Sequence, residues 1–359
     1  MRLLAGFLVV SGLWGATRDL VLFDTDSGLF GDDGAALVML LRSPSKVSVQ
    51  AITIVPGNVW GPQAITIVPG NVGGPQGAEY MFHILDLLKR ANLTMAMGAD
   101  GPLLHTIAMA REWGRRWGTL SYIGAFAQDP TAAVIPAPGS RLATRKPRRD
   151  AVNLLISEIE RHPGEVTILA LGPMTNIALA LRMKPDIENK IQRIVFMGGN
   201  IRVAGNASNA AEFNFWFDPE AARIVLRSRI PQKVMFGLDI CNLAPIRKAE
   251  FDQIAAVRTP VTELFREDLG NRYPGFLKKP DAVAYMWDSL AAAYLLEPEF
   301  VTKSEPRYLD VHTTWGQFYG STVPLDRRVA PGATPVTVML GLDFKRVFGL
   351  YKDRLTRVD

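Results

Sequence analysis

Short apolar runs alternate with longer amphipathic segments along most of this chain. Residues 20–23, 47–55, 165–171, Ile191–Met197 and 233–238 read as strands, several of them apolar enough to be buried on both faces. Residues 34–41, 78–90, 175–181 and Pro219–Leu226 read as helices, and an apolar helix runs on to Leu296 from the Trp287-Asp288-Ser289 segment. Alternation of this kind predicts an α/β fold with a mostly parallel, Rossmann-like central sheet covered by helices on both faces. Ligands of such sheets sit outside the C-terminal ends of the strands. No linker of biased composition interrupts the pattern, so residues 17–359 are read as one domain.

Three features qualify this picture. Arg2 followed by an apolar run over 3–10 and small residues near Ala16 form the pattern of a cleaved export signal over residues 1–16. Export to the periplasm or medium is the expectation, and no later segment approaches membrane-spanning length. Residues 51–63, AITIVPGNVWGPQ, are followed at once by residues 64–76, AITIVPGNVGGPQ, a tandem copy that differs only at Trp60 against Gly73. Two copies this short make no solenoid; one must lie outside the regular elements.

The chain has 359 residues, a formal charge of +5 and a single cysteine, Cys241. One cysteine excludes an internal disulfide and a thiolate metal cluster, and Cys241 reads as a small buried hydrophobe. Much of the positive excess is local, in Arg141, Arg145, Lys146, Arg148 and Arg149. No aromatic residues interleave there to stack bases, so a nucleic-acid partner is not expected.

The candidate chemistry is acidic. Asp24-Thr25-Asp26-Ser27-Gly28-Leu29-Phe30-Gly31-Asp32-Asp33 crowds four carboxylates into a glycine-bearing turn between a strand and a helix. Such a cluster resists ionising unless a cation neutralises it. Without nearby His or Cys, its hard oxygen donors suit calcium or magnesium rather than zinc. Further polar groups follow later strands: Gly198-Gly199-Asn200, Gly205-Asn206 and Ala211-Glu212-Phe213-Asn214. Asp288 stands in an otherwise apolar stretch, where a carboxylate needs a cation or hydrogen bonds. Asp218-Pro219-Glu220 reads as a helix cap.

Taken in order, these segments resemble the calcium-dependent nucleoside hydrolases, the inosine–uridine preferring and purine-specific N-ribohydrolases. Asp24-Thr25-Asp26-x-Gly28-x-x-x-Asp32-Asp33 is similar to the family's N-terminal signature, in a variant two residues longer than the commonest form. Leu171-Gly172-Pro173-Met174-Thr175-Asn176-Ile177-Ala178-Leu179-Ala180 resembles its central motif. Met197-Gly198-Gly199, Gly205-Asn206 and Ala211-Glu212-Phe213-Asn214 resemble its ribose-binding block, and Trp287-Asp288 its last metal ligand.

The resemblance implies cleavage of ribonucleosides to free base and ribose. Asp26, Asp33, Asp288 and the carbonyl of Leu171 would hold calcium, with Asp24 supporting them from behind. Asp26 would be the general base toward a water activated by the ion. Asp32, Asn206, Glu212 and Asn214 would hold the ribose, with Met197 beneath it, and another contact falls on Asn58 or its duplicate Asn71. The family usually forms homodimers or homotetramers, so a homo-oligomer is implied.

One departure is informative. Many members carry a His before the final Asp; here Trp287 stands there, and none of His83, His105, His162 and His312 lies in a matching motif. Trp287 resembles the purine-specific subgroup, which clamps the base between two indoles. Trp113 is the candidate for the second indole and Trp117 the fallback, and purine nucleosides are the expected preference. The alternatives are an exported nucleoside- or sugar-binding protein without catalysis, and a hydrolase of another ribosyl compound.

Overall fold

The structure, a computed structural model, describes residues 18–57, 74–118, 123–126, 134–137, 139–272, 281–328 and 330–358. The export-signal segment, Asn58 and Asn71 lie outside these residues. Strands β1 (Asp19–Thr25), β2 (Val47–Ile54), β3 (Thr94–Met97), β4 (Val166–Ala170), β5 (Ile191–Met197) and β6 (Gln232–Phe236) come first, and all but the four-residue β3 match the apolar runs. They are followed by β7 (Pro245–Ile246), β8 (Ala284–Tyr285), β9 (Val301–Val311), β10 (Thr322–Leu325) and β11 (Val336–Leu342). The helices are α1 (Gly31–Leu41), α2 (Gly74–Leu87), α3 (Ile107–Trp117), α4 (Ala151–Arg161), α5 (Thr175–Met183) and α6 (Phe213–Phe217). After them come α7 (Pro219–Leu226), α8 (Leu238–Cys241), α9 (Lys248–Ala255), α10 (Pro260–Arg272), α11 (Trp287–Leu296) and α12 (Phe344–Thr356).

Nine strands form one sheet in the order β10-β9-β11-β6-β5-β4-β1-β2-β3. From β3 to β11 every neighbouring pair is parallel, whereas β9 and β10 extend the sheet antiparallel. Alternate residues of the central strands enter two different cores. Val21, Phe23, Leu169, Val195, Val234 and Phe236 pack on the face covered by α1 and α11, while Leu22, Ile168, Ala170, Ile194, Phe196 and Met235 pack under α4, α5 and α7. Burial on both faces explains why these strands read as unbroken apolar runs rather than alternating ones. The expected mostly parallel, helix-covered sheet is therefore what forms, in a single α/β domain.

Two differences from the sequence expectation matter for the site. Helix α1 begins at Gly31, not at 34, because the Gly31 N–H is capped from far along the chain by Asp268 Oδ2 at 3.0 Å. Asp32 and Asp33 thus lie in its first turn, where the helix dipole favours carboxylates. The duplicated segment divides its work: the first copy supplies the end of β2, and Gly74-Pro75-Gln76 of the second copy opens α2.

Cys241 is buried and free, with burial pushing its thiol well above the usual range. Asp218 caps α7 by accepting from the Ala221 N–H. In the basic segment Arg145 pairs with Asp86 and lies over the Phe82 ring, and Arg148 pairs with Asp150. No helix among the described residues is long and apolar enough to cross a membrane.

Candidate active site

The strand order 3-2-1-4-5-6 reverses direction between β1 and β4. The crevice beyond their C-terminal ends is where such a sheet opens to ligand. Asp24 pairs in register with Ala170, and the Leu171 N–H donates to the Asp24 carbonyl at 2.8 Å, so Asp26 and the Leu171 carbonyl emerge side by side. Backbone approaches Asp26 closely from two strand ends. A Cβ on Gly57 would lie 2.0 Å from Asp26 Oδ2, and one on Gly172 would lie 3.0 Å from its Cβ and Cγ. Any side chain at position 57 would displace the Asp26 carboxylate.

Two helices bring the other carboxylates. Helices α1 and α11 pack together, and Ser289 Oγ donates to the Asp32 carbonyl at 3.1 Å. The pair β7–β8 secures the chain just before α11. Carboxylate oxygens of Asp32, Asp33 and Asp288 consequently lie within 4.8 Å of one another. Asp33 also accepts a short hydrogen bond from Thr25 Oγ1 at the end of β1. Burial, reinforced by the carboxylates of Asp32, Asp33 and Asp26, pushes Asp288 well above the usual carboxylate range. Acids crowded this way out of water need a counter-charge to ionise together, and their hard oxygens fit a divalent cation of the calcium or magnesium class.

Behind the cluster Asp24 is fully buried, and that burial raises its pKa to about 7 despite hydrogen bonds from Thr53 and Asn176. Asn176, at the start of α5, gives its amide to Asp24 Oδ1 at 2.9 Å and to the Ile54 carbonyl at 3.2 Å, and accepts the Ala99 N–H at 3.0 Å. One side chain thereby joins α5 to β1, β2 and the segment after β3. Its neighbour Thr175 donates to Asp218 at 2.6 Å.

The opposite wall of the cleft is built on α6. Glu212 caps this helix, its carboxylate accepting the Asn214 and Phe215 N–H groups and that of Gly199 beyond β5. Gly199 has φ +75, and a Cβ there would meet Met235, Thr322 and Phe215 at 2.8–2.9 Å, so glycine is required for this approach. Asn214 Nδ2 donates to the Leu171 carbonyl at 2.9 Å and to the Met197 carbonyl at 3.1 Å. Asn206 Oδ1 accepts the Phe213 N–H at 2.8 Å. Asp26, Asp32, Asp33, Leu171, Met197, Asn206, Glu212, Phe213, Asn214, Trp287 and Asp288 line one open cleft with about 390 Å³ of free space.

All but three of the sequence-derived contact residues thus meet in one place, with Asp24 behind them. Asn58 and Asn71 lie outside the described residues. Trp113 is not brought to the cleft: it is buried with Trp216 and Phe217, and its indole N–H donates to the Gly316 carbonyl at 3.1 Å. The reason is packing, since this large ring lies on the inward face of α3. Trp117 is half-buried in the same cluster, its ring 5.6 Å from that of Trp113. No histidine is among the residues lining the cleft.

Sequence reasoning passed over several residues that shape the site. Thr175 and Asn176 stand inside the quoted central motif, and two polar residues opening a helix were the available signal. Thr25 lies between two singled-out aspartates. Asp239 accepts the Ile201 and Arg202 N–H groups at 2.8 Å and fastens the loop after β5. Asp268 and Asp239 carried no local signal, because their partners are remote in sequence.

The sequence and the fold are similar to those of known proteins. The sequence profile described as inosine-uridine preferring nucleoside hydrolase matches residues 61–349. The pyrimidine-specific ribonucleoside hydrolase RihA of Salmonella gallinarum is 33% identical over 338 residues, covering 93% of this chain and 97% of that protein. Among solved structures, the plant nucleoside hydrolase PpNRh1 superposes with a TM-score of 0.75 at 24% identity, over 95% of this chain and 100% of its own. An inosine-guanosine nucleoside hydrolase gives 0.73 at 25% identity, over 94% and 99%.

Proposed function

Because the chain belongs to the inosine-uridine preferring nucleoside hydrolase family, we propose that it cleaves ribonucleosides to base and ribose with calcium and Asp26. The observation that carries this reading is the single cleft in which an acidic cluster faces a wall of amide and carboxylate groups. Asp26, Asp33, Asp288 and the Leu171 carbonyl are the residues that would hold the ion. Calcium, when bound, supplies a Lewis acid that makes water more acidic.

The rest of the chemistry belongs to the chain's own groups. Asp26, confined between Gly57 and Gly172, takes the proton of the attacking water as general base. Asp32, Asn206, Glu212 and Asn214 grip the ribose hydroxyls and fix the anomeric carbon above that water. Surrounding carboxylates favour the positive charge that develops on the ribosyl group as the N-glycosidic bond lengthens. With no histidine in the cleft lining, the departing base draws its proton from solvent.

Trp287 supports a purine preference. It lines the cleft directly before Asp288, and stacking on an indole contributes about 1–3 kcal/mol per base, more for a bicyclic ring. A second reading, pyrimidine preference, is favoured by the pyrimidine-specific relatives at 33–34% identity. Comparing kcat/KM for inosine, adenosine, guanosine, uridine and cytidine decides between them. Purine preference predicts higher values for the first three and a selective loss of these in Trp287→Ala; a uridine or cytidine optimum overturns it. Failure to release ribose from any of the five, with calcium present, overturns the hydrolase reading itself.

Asn58 is the proposed ribose contact from the duplicated segment, because the backbone at Gly57 just before it leaves no room for a Cβ beside Asp26. Asn58→Ala should then raise KM strongly and Asn71→Ala should not. Residues 1–16 support export, and the family resemblance supports a homo-oligomer.

A further inference from the structure

His105 lies outside the cleft and has no part in the chemistry above, yet it is almost completely buried. Its ring sits among Phe126, Trp216 and Tyr319 at centroid distances of 4.6, 4.8 and 5.0 Å, with Trp315 at 5.9 Å. Burial lowers its pKa to about 4, so the imidazole is neutral at any ordinary assay pH. Its Nδ1 lies 3.0 Å from the Trp216 carbonyl. A carbonyl can only accept, so the proton is on Nδ1. Nε2 has no partner among the described residues.

The Trp216 carbonyl belongs to α6, which is only five residues long. A helix this short has almost no stability of its own, and its position depends on what holds its ends. Glu212 holds the N-terminal end from within the cleft, and His105 holds a carbonyl near the C-terminal end. Between these ties stand Phe213 and Asn214, both in the cleft lining, with Asn214 bonded to the Leu171 and Met197 carbonyls. We propose that His105 is a positioning residue for hydrolysis, fixing α6 so that Asn214 meets the Leu171 carbonyl and Phe213 faces the substrate. The inference rests on the hydrolase reading of the cleft.

Three variants test it. His105→Phe keeps the ring in its aromatic surroundings and removes the donor. His105→Asn keeps an N–H near the Nδ1 position, and His105→Gln moves it to the Nε2 position. In the folded proteins kcat/KM is expected to fall by about one to two orders of magnitude in His105→Phe, mostly in kcat, as misplacement of an ångström can cause. His105→Asn is expected to recover most of the loss and His105→Gln little. If His105→Phe does not fold, the order of Asn above Gln carries the test.

Hydrogen exchange supplies a readout independent of turnover: the amides of 213–217 should exchange faster in His105→Phe and Gln than in wild type or Asn, with β1 and β4 unchanged. Equal kcat/KM in wild type and a folded His105→Phe overturns the proposal. So do equal losses in Asn and Gln, or unchanged exchange in α6. A wild type inactive on every nucleoside overturns the hydrolase reading instead, and exchange in α6 still decides the positioning role.

Discussion

At the scale of single residues, the site separates groups that act from groups that hold them. Asp26 is placed to act, and Asp26→Asn keeps its size while removing the base. Its kcat is expected to fall by at least two orders of magnitude, in line with loss of a general base, with an unchanged circular dichroism spectrum. Near-normal turnover in the folded variant would remove Asp26 from the chemistry. Asn176 is placed to hold. Asn176→Ala strips one partner from Asp24 and leaves the Ile54 carbonyl and Ala99 N–H without this amide. The Ile54 carbonyl keeps the Gly98 N–H and Asp24 keeps Thr53, so the Ala99 N–H is the group left unpaired, and a loss of about 1–3 kcal/mol in urea unfolding is expected, together with weaker turnover.

Helix placement is decided by ties at element ends. Asp268 fixes where α1 begins, Glu212 and His105 hold α6, and Lys233 of β6 closes the end of α7. Lys233 is buried, and its Nζ donates to the Leu226 and Ser228 carbonyls at 2.8 and 2.7 Å. Burial lowers its pKa from an ordinary 10.5 to about 8. Between those two values the unfolded chain binds more protons than the folded one, so this residue makes stability rise with pH over that window. Below about 8 both states are protonated and its contribution is flat. Lys233→Met removes the ammonium and the titration, so the urea midpoint of wild type should rise relative to that of the variant from pH 8 to pH 10. A constant difference would show that Lys233 titrates normally.

For the whole molecule, the duplication and the cation offer separate tests. Deleting residues 61–73 joins Trp60 to Gly74 and keeps both the β2 end and the start of α2. Closing a shorter connection between the same ends costs less entropy, by about 1 kcal/mol. The deletion variant is expected to unfold at equal or higher urea and to retain turnover; loss of folding would mean that the second copy is built into the structure. Calcium binding only the folded state should raise the unfolding temperature, and a chelator should lower it. Magnesium or manganese in its place measures how closely the donor set selects calcium.

The amino-acid sequence alone determined the central strands β1, β2, β4, β5 and β6, because strands buried on both faces are written as unbroken apolar runs whatever surrounds them. It also determined which carboxylates and amides stand at strand ends, since Asp26, Leu171 and Met197 sit at or just past the last residue of β1, β4 and β5. The antiparallel β9–β10 edge was not legible: β9 is mostly exposed or half-buried and lacks that apolar signature. Nor was the fate of Trp113, because an inward-facing ring can join a core or a cleft with the same local pattern. Tertiary structure alone put Asp268 on α1, Asn176 across β1, β2 and the segment after β3, and His105 under α6. Each of these is a hydrogen bond between remote segments, and no local sequence pattern encodes its partner; only the packed sheet brings the two groups within reach.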